Sequence, residues 1–240
     1  MALMSSKKIW LVFSFILFLM PACSSQTNNY GSSLLVKLDS ISQGQSISKY
    51  FARLYYTTTV IADDFFASSD EPVRSFMKRL EERFGEYFFQ AARSYKAGTK
   101  IPENWSTYFS DTSFSEAQYF LLGANAHING DIWQALTTEF SLEEIQENKE
   151  SYFGFYKGLK KVYTDVYYST LMSAKKAELL HHISLGFDKV YGKMMLRRWR
   201  KRQMQLAILY FTDKNRFVKK LNKLKRKMAK LDRLICRNLH

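Results

Sequence analysis

The sequence predicts an all-α fold: a multi-helix bundle of long antiparallel helices, ending in a basic amphipathic C-terminal helix. Three observations predict it. The 240 residues contain only 10 Gly and 3 Pro, too few turn formers for a sandwich or barrel of many short strands. Hydrophobic residues make up 46% and aromatics 16%, which is ample for a packed core and excludes wholesale disorder. Apolar residues recur at helical spacing in stretches well over 15 residues, as helices joined by short loops require. Two Cys and four His exclude a disulfide scaffold and a Cys-based zinc site, and they limit any His-rich metal site.

The elements follow in chain order. Lys7 and Lys8 precede an apolar run from Ile9 to Met20, closed by Pro21-Ala22-Cys23. The run is shorter than the ~20 residues a membrane span needs but suits a signal peptide over 1–22. The small residue followed by cysteine resembles a bacterial lipoprotein signal, which implies that Cys23 becomes a lipidated mature N-terminus. Ordinary secretion with cleavage after Ala22 is the alternative. Residues 23–45 then read as the lipidated cysteine and a polar tether. Aromatic and aliphatic residues from Ile47 to Ser68 (Phe51, Leu54, Tyr55, Val60, Ile61, Phe65) predict the first helix. Asp70-Glu71-Pro72 is a helix start, because proline loses nothing where the N–H has no partner. Val73 to Lys96 follows, ended by Ala97-Gly98-Thr99. Lys100 to Ser110 is a loop carrying Pro102 and Trp105. Ser113 or Ser115 caps the next helix, to about Glu139. Ser141-Leu142-Glu143-Glu144 offers a capping box. Helices are expected over 147–173, 187–211 and from Asp213 to about Arg237. The helical domain is placed at 46–212 and the basic helix at 213–240.

Candidate chemistry concentrates between Phe114 and Phe140. Leu121, Leu122, Ala124, Ile128, Ile132, Ala135 and Leu136 form one broad apolar face. Asn125 and Asn129 fall within it, four residues apart. An unpaired buried amide costs roughly 1–3 kcal/mol, so both asparagines require defined partners. His127 and Asp131 are also four apart, so imidazole and carboxylate can touch or converge on one ion. Gly123 and Gly130 each cost about 1 kcal/mol of helix stability relative to alanine, a cost that fits the close approach of a neighbour or ligand. Two readings stay open: a structural network bridging helices, or a ligand site lined by Asn125, His127, Asn129 and Asp131.

The run Leu122-Gly123-Ala124-Asn125-Ala126-His127-Ile128-Asn129-Gly130-Asp131-Ile132 resembles the signature of an uncharacterised bacterial all-α family, a domain of unknown function with a Gly-x-Asn-Ala-His-Ile-Asn-x-Asp-Leu core. Phe84, Tyr87, the stretch Tyr95 to Gly98, Pro102 and Trp105 upstream, and Arg198-Trp199 downstream, support the match across roughly Tyr50 to Tyr210. Ile132 replaces the commoner leucine. The resemblance implies an all-α fold and nominates the same cluster; it implies no reaction. A fainter similarity links the His-x-x-x-Asp spacing to the helical zinc-dependent phospholipases C. Their trinuclear sites need more histidines than His127, His181, His182 and His240 supply. A single divalent metal on His127, Asp131 and one of His181 or His182 remains as the metal arrangement, with a zinc-bound water near pKa ~7; it is not the favoured reading. His181 and His182 point about 100° apart in a helix, so only one can face such a site.

Other polar groups carry less. Asp63-Asp64 and Glu81-Glu82 read as solvated helix edges and surface ion pairs. No Gly-x-Ser-x-Gly elbow, P-loop, dinucleotide fingerprint or EF-hand loop is present. Charge is uneven: residues 193–240 hold 17 of the 36 Lys/Arg and only 2 of the 22 Asp/Glu, so the net +14 resides there. Within this segment Phe217, Leu221, Leu224, Met228, Leu231 and Ile235 recur at 4, 3, 4, 3, 4, an apolar seam on a basic helix. The seam packs on the bundle, lies on an anionic membrane, or docks a protein partner; nucleic acid is disfavoured in an exported protein without a nucleic-acid module. The expectation is a bacterial cell-envelope lipoprotein, membrane-anchored through Cys23, its domain either a non-catalytic binding module or a metal-assisted hydrolase of a phosphoester. Ser24 after the cysteine points to the outer membrane in a Gram-negative cell.

Overall fold

A computed structural model describes residues 32–155 and 188–238. Every regular element among the described residues is a helix, with no strand among them. The helices are α1 (Ser32–Ser42), α2 (Ser48–Ala67), α3 (Glu71–Lys96), α4 (Glu116–Ala124), α5 (Ile132–Glu139), α6 (Leu142–Glu147), α7 (149–155), α8 (Asp188–Thr212) and α9 (Lys214–Asn238). A 3₁₀ turn spans Glu103–Trp105. A π-helical segment, Asn125–Asp131, joins α4 to α5. The signal segment, Cys23, His181, His182, His240 and most of the helix expected over 147–173 lie outside the described residues.

Local chemistry sets most helix starts where they were expected. Ser115 accepts a hydrogen bond from the Gln118 backbone while Gln118 Oε1 accepts from Ser115 N at 2.8 Å, a reciprocal capping box. Ser141 and Glu144 repeat it before α6. Pro72 lies in the first turn of α3, and the chain turns out of that helix through Gly98, at φ +64°.

Three expectations are corrected. The polar tether is expected to reach residue 45, but α1 occupies Ser32–Ser42 within it. Leu34, Leu38 and Ile41, spaced 4 and 3 apart, form an apolar stripe; the two leucines are buried and Ile41 packs beside them. That burial stabilises a helix whose composition otherwise looks like linker. The second correction is the π-helical segment inside what reads as one continuous helix. Glycine and side chains bonded outside the helix enforce the α ladder weakly there. The third is Glu81, which is partly enclosed rather than a plain surface ion pair. Burial and the Asp63 charge raise its carboxyl well above the ordinary carboxylate range, with Arg200 opposing.

The segment running α4–π–α5 forms the axis of the fold. It contacts α2, α3, α8, α9 and the 3₁₀ turn. One apolar cluster, around Phe51, Phe88, Trp105, Tyr108 and Leu122, fills the α1–α2–α4 side. A second, around Phe76, Leu136, Ile145, Tyr152 and Met204, fills the α5–α8 side. The seam of α9 turns inward: Phe217, Leu224, Met228 and Ile235 are buried, with Leu221 and Leu231 partly so. Of the three placements open for the basic helix, it packs on the bundle and leaves its cations outside.

Candidate functional site

All four nominated residues come together in the π-helical segment. Asn125, His127, Asn129 and Asp131 are each 0–2% exposed. Asp131 is the hub. Its Oδ1 accepts from Asn104 Nδ2 at 2.7 Å, and its Oδ2 accepts from Trp105 Nε1 at 3.0 Å and from His127 Nδ1 at 2.8 Å. Three donors on one buried carboxylate fix the imidazole with its proton on Nδ1 and leave Nε2 as the acceptor nitrogen. Asn104 also donates to the Ala126 carbonyl at 3.1 Å. The carboxylate thus fastens the 3₁₀ turn to the axis.

Glycine makes these approaches feasible. A Cβ on Gly130 would overlap the Asn104 side chain, and one on Gly123 would overlap the Phe51 ring. The two glycines therefore admit neighbouring side chains rather than a ligand.

His127 sits in an aromatic box. The Phe84 ring stacks on it, with centroids 3.4 Å apart and planes 12° apart; Tyr55, Phe51 and Trp105 follow at 4.7, 5.4 and 5.9 Å. Burial holds the imidazole below its ordinary value, against the opposing pull of Asp131, so it is neutral at pH 7. Burial raises the Asp131 carboxyl, and the bonds from His127, Trp105 and Asn104 offset part of that rise. His127 Nε2 and the Tyr55 hydroxyl are both buried without a hydrogen-bond partner. Burial, then the charges of Glu81 and Asp131, raises the Tyr55 phenol well above its ordinary value.

The asparagines face α9. Asn125 Nδ2 donates to Met228 O at 3.2 Å and to Asp232 Oδ1 at 2.7 Å. Asn129 Nδ2 donates to Asn125 Oδ1 at 3.0 Å, and Gln203 Nε2 of α8 donates to Asn129 O at 3.2 Å. The requirement for defined partners is met for Asn125 by α9; Asn129 has Asn125 as its side-chain partner, and its own Oδ1 is buried without one.

Sequence reasoning missed Asn104, Asp232, Gln203 and the box residues Tyr55 and Phe84 as members of this site. Trp105, read from the sequence as a loop residue capping the core and as part of the family match, is fully buried and also joins the site through its N–H, the one polar group of a large ring. Of the metal candidates, His127 and Asp131 bond to each other, and His181 and His182 lie outside the described residues. No group of three or more His, Cys, Asp or Glu among the described residues is arranged to hold a metal ion. Burial raises the Cys236 thiol, with Asp232 adding to the effect, the opposite of an activated nucleophile.

A surface cavity of about 390 Å³ lies elsewhere, between α1, α3 and the end of α5, lined in part by Lys37, Arg79, Arg83, Glu82, Glu86 and Glu139. Most of its charges are paired: Arg79 with Glu139 and Glu144, Arg83 with Glu139, and Lys37 with Glu86. It contains none of the cluster residues.

Comparison with known proteins places this geometry. A family model described as "Family of unknown function (DUF5995)" matches residues 33–238. The chain belongs to this family. The matched span opens within α1 and closes within α9, so both the strap that reads as linker and the basic helix are part of the DUF5995 domain. No curated protein and no solved structure matches the chain. Among the described residues, no helix is long and apolar enough to cross a membrane.

Proposed function

We propose that this DUF5995 protein is a cell-envelope lipoprotein, held to a membrane through lipidated Cys23, whose helical domain is a non-catalytic binding and interaction module. One observation supports the non-catalytic reading above all: the His127–Asp131 pair is enclosed, its carboxylate saturated by protein donors and its imidazole covered by Phe84. A reacting atom needs space about 3 Å from base and electrophile, and protein atoms occupy the surroundings of this pair. The cluster acts instead as a clamp, joining the 3₁₀ turn, α8 and α9 to the axis. The lipid anchor rests on the sequence around Ala22-Cys23.

A second reading, a metal-assisted or acid–base hydrolase of a phosphoester, draws on one specific observation: His127 Nε2 is buried without a partner. An imidazole oriented by a carboxylate, with a free acceptor nitrogen, is the form a general base takes.

One experiment separates the readings. The full chain and His127→Gln are purified without chelators, offered zinc, and compared by elemental mass spectrometry and by turnover of phosphomonoester and phosphodiester substrates. The clamp reading expects no stoichiometric metal and no turnover that depends on His127. One equivalent of metal, or activity, lost in His127→Gln while helicity persists would establish the hydrolase reading instead. Mass spectrometry of the mature N-terminus tests the anchor: a lipid-modified Cys23 is expected, and an unmodified residue there refutes it.

A further inference from the structure

The cations of α8 and α9 are arranged, not merely abundant. On α9, Arg216, Lys220, Lys223, Lys227 and Lys230 follow at 4, 3, 4 and 3, the spacing of a straight row along one helix face. At 1.5 Å per residue the row is about 21 Å long. On α8, Arg198 and Arg202 are one turn apart. Thr212 and Lys214 flank a hairpin at Asp213, and Lys220 Nζ donates to Gln205 Oε1 at 2.9 Å. That register brings Arg198 and Arg202 alongside Lys223 and Lys227.

Among the described residues, the carboxylates Asp213 and Asp232 of the α8–α9 hairpin are committed elsewhere. Asp213 accepts from Arg216 N at 2.9 Å and pairs with the Arg216 guanidinium, and Asp232 is bonded to Asn125. Among the described residues, Arg198, Arg202, Lys223 and Lys227 form no ion pair or hydrogen bond. The contrast with α3 is sharp, where Arg74, Arg79, Arg83 and Arg93 all pair with glutamates. Mutual repulsion is felt: Arg202 first, then burial, Lys223 and Arg198, lower the Lys227 ammonium below its ordinary value. Arg202 is itself half-buried, and that burial lowers its guanidinium.

A second feature marks the end of the same hairpin. Tyr210 and Phe211 are each 40% exposed and Val218 is 44% exposed, with Lys214 Nζ 5.2 Å from the Tyr210 ring centroid. Exposed aromatic rings edged by cations are the composition of a bilayer interface. The apolar seam of α9 is already spent on the core, so the helix has no second apolar face to insert.

We propose that the α8–α9 hairpin is an anionic-lipid docking surface, in which Arg198, Arg202, Lys223 and Lys227 bind phospholipid phosphates and Tyr210, at the hairpin end, seats at the headgroup level. A straight row with a parallel flank matches phosphates laid out in a plane. The surface acts independently of the anchor on Cys23, so loss of lipidation leaves it intact.

The test uses the full chain and vesicles of phosphatidylcholine alone or with about a third phosphatidylglycerol. The N-terminal segment, with Lys7 and Lys8, is the same in every variant, so differences between variants read the charged surface. Binding is expected to favour the anionic vesicles and to weaken as salt shortens the screening length. Each basic residue at an anionic surface contributes about five-fold, so Lys223→Gln/Lys227→Gln is expected to lose about 25-fold. Lys96→Gln/Lys100→Gln, an exposed pair at the far end of α3, carries the same change in net charge and is expected to lose little. These sites are exposed, so circular dichroism should report intact folds. Equal loss by both pairs would reduce the effect to net charge and overturn the proposal. So would the absence of any preference for anionic vesicles, or tighter binding to a single-stranded oligonucleotide at equal phosphate concentration.

Discussion

Replacing Asp131 by alanine removes the acceptor for three hydrogen bonds at once. Asn104 keeps the Ala126 carbonyl, but Trp105 Nε1–H and His127 Nδ1–H are left in the core with no acceptor. A stranded buried donor costs about 1–3 kcal/mol, so two of them cost about 2–6 kcal/mol, with no unpaired charge left behind because the imidazole is neutral. This places Asp131→Ala at about 2–6 kcal/mol, a large share of the ~5–15 kcal/mol that typically holds a domain folded. Asp131→Asn keeps one acceptor oxygen and presents an amide that a re-tautomerised imidazole can accept from, so its cost is about 1–3 kcal/mol. Urea unfolding followed by helical circular dichroism gives both values, and tryptophan fluorescence follows the environment of Trp105. The alanine variant is expected to be the least stable, with Trp105 emission shifted to the red. A loss under about 1 kcal/mol for Asp131→Ala would refute the clamp.

The remaining predictions test neighbouring parts of the same network. His127 has a folded-state value held below the free imidazole value of 6.5, so on acidification the unfolded chain takes up the proton first. Stability is therefore lost as pH falls from about 6.5 toward 5, by at most about 1.4 kcal/mol per pH unit from this group. Asp131, whose carboxyl is raised, contributes the opposite sign, gaining as pH falls through its own range. Unfolding curves across pH 5–7 should show that His127→Gln removes this component of the slope; an unchanged slope contradicts burial as its origin. Gly123→Ala forces the Phe51 ring aside and should cost about 1–3 kcal/mol. Gly154→Ala, with open space around its position, should be neutral or stabilising by up to about 1 kcal/mol; thermal melts showing the reverse order would contradict the packing at Gly123.

Much of this fold was legible because local chemistry and periodicity agree. The capping boxes at Ser115 and Ser141, the Pro72 start and the 4-3-4 seam of α9 are all decided within a few residues of chain. The cluster was legible for a different reason: Asn125, His127, Asn129 and Asp131 are polar side chains in an otherwise apolar helix, which burial tolerates only with partners. The partners were not legible. Asn104 is 27 residues from Asp131, and Asp232 is 107 residues from Asn125; no local pattern encodes such distances. The π-helical register also escaped, because it arises from hydrogen bonds to other elements rather than from propensity. α1 was hidden by its serines, although Leu34, Leu38 and Ile41 already had helical spacing. For Glu81, a charged residue in an arginine-rich helix gave no sign that its neighbours in space include Asp63 and Arg200.

The central claim, that His127 and Asp131 form a closed clamp rather than a reactive centre, is tested most directly by the imidazole itself. Nitrogen-15 chemical shifts of His127 in the full chain, recorded across pH 5–8, report its tautomer and titration together. The clamp predicts a ring that is neutral at pH 7 with its proton on Nδ1, that titrates below the free imidazole value, and that is unaffected by added zinc. An ordinary titration near 6.5, or a zinc-dependent shift of Nε2, would show an imidazole open to solvent or metal and would contradict the account.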